Sequence, residues 1–276
     1  MISFFREKPL RMVWRLEKDG KTSAIVGASH FFRYSYRKTY TSLMRDAKSV
    51  LFEGPLDKES MEAIARYGME GHDTPSVLKE LDPEVARKIN RRLAKAVEQP
   101  GATSTGLAMI RQSNSSFLDV YADEVRPWMA LFATWSAYLR TKGWRNSMDM
   151  EAYAVATRLR KNVCFMETID EQLSALDGIP FDRIVAFLNA FDQWDTYSER
   201  FLKLYLEGRY DEMVSTTMMF PTRCESILDD RDPVFFERMK PFIDQGNAVV
   251  FVGTTHVRGL APMFQDEGYL ISQVKS

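Results

Sequence analysis

Ala24-Ile25-Val26-Gly27-Ala28-Ser29-His30 and Val249-Val250-Phe251-Val252-Gly253-Thr254-Thr255-His256 are two versions of one phrase. Each is an apolar, β-prone run that ends at a glycine and sets a histidine three residues later. A strand that stops at glycine lets backbone come close to a ligand. In an open α/β sheet, the crevice beyond the carboxyl ends of the strands is the usual ligand site. If the two strands run the same way, both imidazoles emerge on one edge. The chain has three histidines, so two of the three sit in this setting.

Outward from the first phrase, Arg11 to Leu16, Asp19-Gly20 and Thr22 to Val26 read as a hairpin, because Asp-Gly is the strong two-residue turn signal. A helix is expected over Ser35 to Asp46. Ser49-Val50-Leu51-Phe52-Glu53-Gly54-Pro55 follows as an apolar strand closed by a carboxylate and two breakers. Strand, helix, strand suggests a βαβ unit with parallel pairing. From about 57 to 144 the pattern is helical. Pro83 opens one helix, with Val85, Ile89, Leu93 and Val97 on its buried face and Arg87, Lys88, Arg91, Arg92 and Lys95 on its solvated face. Gln99 to Ser116, rich in Gly, Ser, Thr and Asn, is a loop candidate, and a longer helix is expected from about Asp119 to Lys142.

The α/β rhythm then returns. Met148 to Lys161 reads as a helix, and Val163-Cys164-Phe165-Met166-Glu167 as a buried strand ended by another carboxylate. Pro180 to Glu207 reads as one long helix or two, stopped by Gly208. Asp232 to Gln245 is helical, Ala248 to Val252 a strand, Leu260 to Glu267 a short helix, and Tyr269 to Val274 a closing strand. The expected class is α/β: a mixed, largely parallel central sheet with flanking helices and a helical insertion.

Composition narrows the function classes. With 37 basic and 38 acidic residues, a formal charge of −1 gives no field that favours nucleic acid or acidic membranes. The apolar fraction of 45% supports a sizeable core. Cys164 and Cys224 are the only cysteines and form no Cys-x-x-Cys pair, so a thiolate metal site is not indicated. Cys164 reads as a buried small hydrophobe. Met1 to Leu10 carries charges and lacks the apolar core of a signal peptide. Pro127 to Leu139 is too short to span a bilayer. The expectation is a cytoplasmic protein with no membrane or nucleic-acid partner; a homo-oligomer stays open.

Four apolar runs end in a group able to do chemistry: His30, Glu53, Glu167 and His256. Singly, each has an ordinary structural reading. A lone histidine is usually a hydrogen-bonded structural residue. Glu167 precedes Thr168-Ile169-Asp170-Glu171, which looks like the opening of a helix. Together they fit a metal that takes imidazole and carboxylate, such as zinc, manganese or cobalt. Two histidines and one carboxylate would leave a position for water. His72 lies in a loop and reads mainly as surface. Arg231, in Asp229-Asp230-Arg231-Asp232-Pro233, is either a local salt-bridge partner or a guanidinium for a developing oxyanion. Gly-x-Ser-x-Gly, phosphate-loop and dinucleotide fingerprints are all absent. The residues alone reach a two-histidine metal hydrolase or a metal-binding protein.

Three ordered blocks resemble the TraB/GumN group, which includes TIKI metalloproteases and PrgY-type regulators. Trp14 through Glu53 is similar to its first strand pair, first Gly-x-x-His and strand with glutamate. Pro127-Trp128, Asp149, Ala156 and Met166-Glu167-Thr168 to Gln172-Leu173 resemble its middle block. Val252-Gly253-Thr254-Thr255-His256-Val257-Arg258-Gly259-Leu260 to Gly268-Tyr269 resembles its second Gly-x-x-His block. The resemblance covers nearly the whole chain. It implies one domain over 1–276 with a helical insert at about 57–144, and a fold related to the erythromycin esterase (EreA) and ChaN group. It implies that His30 and His256 bind a divalent metal, manganese or cobalt by preference, with zinc or iron as alternatives. Glu53 would be the carboxylate ligand or general base, and Arg231 the motif arginine. Asp149 and Glu167 are additional candidates, as are Ser29 and Thr255, whose hydroxyls can reach a ligand. Asp232 departs from the family's usual asparagine after the arginine.

The first expectation is therefore a metal-dependent hydrolase acting on a peptide or small molecule, with the insert covering the cleft. Its rivals are a non-catalytic protein that sequesters a peptide or haem-type ligand, and an esterase that works without metal.

Overall fold

The structure is a computed structural model and describes residues 7–97 and 116–274, the side chains of 95–97 excepted. It opens with strands β1 (Val13–Lys18) and β2 (Lys21–Ala28), then helix α1 (Arg37–Met44) and strand β3 (Ser49–Phe52). Between β3 and the next strand come α2 (Lys58–Met69), α3 (Val77–Glu80), α4 (Pro83–Val97), α5 (Phe117–Tyr121), α6 (Pro127–Thr141) and α7 (Met148–Arg158). After β4 (Asn162–Phe165) the chain forms α8 (Ile169–Asp177), α9 (Phe181–Asn189), α10 (Trp194–Glu207), α11 (Tyr210–Thr216) and α12 (Arg231–Gln245). It closes with β5 (Ala248–Gly253), α13 (Val257–Asp266) and β6 (Leu270–Gln273).

The six strands form one sheet in the order β4-β3-β5-β2-β1-β6. The β1–β2 hairpin turns at Asp19 and Gly20, whose φ of 50° and 72° fit a two-residue turn with left-handed central residues. Strands β2, β5, β3 and β4 pair in parallel, while β1 pairs antiparallel with both β2 and β6. The expected direct pairing of the second and third strands is corrected: β5 lies between them, and α1 carries the chain across that gap. All of Ala248 to Val252 is buried, as a central strand covered on both faces requires. Phe251 stacks on Phe52 at 5.3 Å between ring centroids and meets Tyr40 edge-on at 5.2 Å. Burying each such ring contributes about 1.5–3 kcal/mol.

The registers decide where the site falls. Ala28 pairs with Gly253, and Phe52 with Phe251. Strands β2, β5 and β3 therefore end at nearly one level, and His30, Glu53 and His256 leave that single edge.

Several local expectations change. Residues 163–167 were expected to form a buried strand, but β4 is the sheet's edge and its residues are exposed or half-buried. Cys164 is half-buried rather than buried. The helix expected from 119 to 142 is two, because Pro127 opens α6 after a turn. Residues 180–207 form α9 and α10 with one 3-10 turn between them. Ile89 and Leu93 of α4 are buried and Arg87, Arg91 and Arg92 exposed, as patterning required. Residues 1–6 and the loop expected at 99–116, except Ser116, lie outside the described residues. Among the described residues no helix is long and apolar enough to cross a membrane.

Candidate functional site

Glu53 stands at the junction of the three strand ends. Its Oε1 accepts the Gly253 backbone N–H at 2.5 Å. That approach needs a residue without bulk: a Cβ on Gly253 would lie 3.3 Å from Glu53 Oε1 and 3.4 Å from His256 Cδ2. The Glu53 carbonyl accepts the Met166 and Glu167 N–H groups, which sets the Glu167 side chain beside Glu53. Arg231, the first residue of α12, closes the group. Its Nη2 donates to Glu53 Oε2 at 2.9 Å and to Glu167 Oε1 at 2.7 Å, and its Nε donates to Glu167 Oε2 at 2.9 Å. Its Nη1 donates to the Ile227 carbonyl and stands 3.5 Å from His256 Nε2. The expectation of a purely local partner for Arg231 is thereby replaced by two carboxylates from distant strand ends.

Both strand-end histidines have Nδ1 on a carboxylate. His256 Nδ1 lies 2.6 Å from Asp232 Oδ1, a hydrogen bond that fixes the orientation of the ring. His30 Nδ1 forms an ion pair with Asp149 Oδ2 at 2.8 Å. Asp149 reaches it because the segment after β2 is tied to the start of α7. Phe32 and Asn146 exchange backbone hydrogen bonds, and Met148 N–H donates to the Ser29 carbonyl. Glu151 accepts from Ser35 Oγ and Tyr36 N–H on the same segment. In each histidine Nε2 is the ring nitrogen left for a ligand or a proton.

The charges are set by these contacts. Burial by itself would raise the Glu53 pKa. Arg231, His256, His30 and the Gly253 N–H outweigh it and hold Glu53 down at about 2. Burial pushes Glu167 up against the pull of Arg231, and pushes Asp232 up against the pull of His256. Burial disfavours a charged His30, yet Asp149 and Glu53 raise it to about 9. Its ring stands in a cleft, 65% accessible to water but surrounded by protein. Burial also opposes the Arg231 charge, and Glu53 and Glu167 reverse that to hold it firmly protonated.

The cleft holds a cavity of about 170 Å³. Its floor is the strand edge, with His30, Glu53, Arg231 and His256. The helical insert contributes Phe132, Trp135 and Leu139 from α6, and Trp144 lies just beyond it. The insert is only part of the cover, because Phe201 of α10 and the segment from Phe220 to Ile227 line the opposite side.

His30, Glu53, Arg231, His256, Ser29 and Thr255 all line this one cleft. Ser29 Oγ donates locally to the Phe31 carbonyl. Asp149 and Glu167 stand behind it, holding His30 and Arg231. His72 lies outside it, exposed beside Glu124. The sequence reading missed that Asp232 orients His256, and missed Arg223 on the cleft wall. Nothing in the spacing of Thr222-Arg223-Cys224 marks it. Among the described residues no three His, Cys, Asp or Glu side chains converge on a metal-holding point.

A model for the TraB/PrgY/gumN family matches residues 12–273. No curated protein matches the chain.

Proposed function

The chain belongs to the TraB/PrgY/gumN family, and on that premise we propose that it is a hydrolase of peptide or related acyl bonds, with water activated between His30 and His256. The observation that carries this reading is the sharing of one cleft by two carboxylate-oriented imidazoles and the ion-paired Glu53 and Arg231.

His256, fixed by Asp232, presents Nε2 to take a proton from water. His30, protonated up to about pH 9, can donate to the leaving group or to the oxyanion. Glu53 at about 2 is a weak proton acceptor, so its part is to hold Arg231 and the Gly253 backbone in place. The Arg231 donors are already engaged by Glu53, Glu167 and Ile227, so its part is to hold those carboxylates and the start of α12 in place.

The two Nε2 atoms would be the donors for a divalent ion, manganese or cobalt by preference, with zinc or iron as alternatives, and the ion would have to displace the proton that His30 carries up to about pH 9. Such an ion would lower the pKa of a bound water toward neutrality. Glu53 is less well disposed as a third ligand, because Arg231 and Gly253 hold its two oxygens.

The test is turnover of N-acyl peptides and aryl esters, measured with added manganese or cobalt and again with chelator. His30→Ala and His256→Ala should each lower the rate by at least about 100-fold, and elemental mass spectrometry reports metal in the same samples. No turnover by the wild-type protein in any condition sinks the hydrolase reading. Turnover that persists in chelator removes the metal and favours an esterase-type mechanism.

A further inference from the structure

The cleft contains a second arginine with the opposite surroundings from the first. Arg231 is neutralised by two carboxylates. Arg223 lines the same cavity and forms no ion pair within 4.0 Å among the described residues. Among the described residues its side chain makes one hydrogen bond, a long one from Nη1 to Thr222 Oγ1 at 3.3 Å. Its Nε is buried without a partner, and so is the hydroxyl of Tyr210. The titratable groups that act on Arg223 most strongly are Tyr197, Tyr210, Cys224 and Arg183. Burial pushes its guanidinium below the ordinary arginine value. Only Glu98, of all the acidic residues, lies outside the described part of the chain.

A buried cation and buried donors without acceptors are costly unless something else supplies the negative charge. Phe132, Trp135, Trp144, Tyr197, Phe201 and Phe220 give the cavity an aromatic stretch of wall. Trp135 meets Trp194, Phe187 and Tyr197 edge-on at centroid distances of 5.2–5.8 Å. Phe220, one turn of chain before Arg223, packs on Phe187 at 4.9 Å.

We propose that Arg223 is the anchor for a substrate carboxylate carried on an aromatic or large apolar body that fills the space beside Trp135 and Phe220. Guanidinium recognises carboxylate through a planar, paired set of donors. One unneutralised guanidinium beside an aromatic wall matches a monoanion better than a phosphate, which brings more charge and needs more donors. This deepens the hydrolase reading and rests on it for the bond cleaved: the substrate would be an acyl compound with a free carboxylate at one end and the scissile carbonyl near His30 and His256. The free α-carboxylate of a peptide ending in an aromatic residue and the carboxylate of a simple arylalkanoic acid share this chemistry.

The experiment is calorimetric binding to the full chain. The probes are 3-phenylpropionate against 3-phenylpropionamide, N-acetyl-glycyl-phenylalanine against its amide, and phenyl phosphate. In the wild type each acid should bind at least about tenfold tighter than its amide. Arg223→Met should bring that ratio to about one while leaving the amide's affinity unchanged. Its thermal midpoint should hold or rise, since an unpaired buried charge is removed. His30→Ala, which removes the cation that Asp149 already pairs, should keep the preference. Tighter binding of the peptide acid assigns the carboxylate to a peptide terminus; tighter binding of 3-phenylpropionate assigns it to a free acid. The proposal is overturned if acid and amide bind wild type equally, if neither binds, if phenyl phosphate binds best, or if the preference survives in Arg223→Met. The acid-to-amide ratio in wild type stands even where the variant does not fold. Binding without any turnover would count against the hydrolase reading and leave the carboxylate anchor intact.

Discussion

Gly259 of α13 faces Asp232 of α12 so closely that a Cβ on residue 259 would run into the Asp232 carboxyl group. The glycine after the second histidine therefore leaves room for the carboxylate that orients that histidine. Gly259→Ala should force Asp232 away from His256 Nδ1 and misplace the ring. Overpacking of this kind costs about 1–3 kcal/mol. Denaturant melts should show that loss, and imidazole nitrogen NMR should show His256 losing its single tautomer. A variant as stable as wild type with an unchanged His256 spectrum would mean that α13 shifts without cost and that Gly259 has no part in orienting the ring.

Asp149 gives His30 its distinct titration. The pair holds the ring charged to about pH 9, against an ordinary value of 6.5. Because the folded value is the raised one, the stabilisation is complete below about pH 6.5 and is lost as pH rises through about 9. Asp149→Asn should bring the His30 midpoint in an NMR titration back toward about 6.5 and flatten stability across the same window. Any hydrolysis that needs a charged His30 should lose its alkaline plateau in this variant. A midpoint that stays near 9 would assign the charge on His30 to Glu53 instead.

What the sequence discloses of this site is what lies along the chain. The two strand-Gly-x-x-His phrases are legible because a central strand must be apolar without interruption and must end where the backbone turns. Glu53 is legible for the same reason, as the first polar residue after Ser49 to Phe52. The position of β5 between β2 and β3 is not, since sheet order is a tertiary choice that leaves no local mark. Glu167 illustrates the boundary. The helix opening after it is readable from Thr168 and Glu171, which form a capping box. Its bond to Arg231, 64 residues on, is not. Asp232 is visible as a carboxylate beside Arg231, but only the fold shows that it serves His256. Arg223 sits in an irregular segment between α11 and α12, where no periodicity separates a cavity wall from a surface loop.

Arg231 competes for the place that a metal would take in this cleft. Its guanidinium already neutralises Glu53 and Glu167 and stands beside His256 Nε2. Arg231→Met would leave Glu167 without its ion-pair partner and Glu53 with only the Gly253 N–H, which costs about 3–5 kcal/mol when one side of a buried pair is removed. Arg231→Lys should cost less but not restore the wild type, since an ammonium cannot reproduce the paired donors that Glu167 accepts from Nε and Nη2. Glu53 Oε2 would then be free for an ion, on a carboxylate whose Oε1 already lies 3.6 Å from His256 Nε2. Manganese or cobalt should therefore raise the thermal midpoint of Arg231→Met by more than it raises that of the wild type, with chelator reversing the gain. Equal shifts in the two proteins would mean that the ion binds the histidines without Glu53. A larger shift in the wild type would mean that Arg231 orders the metal site instead of competing with it.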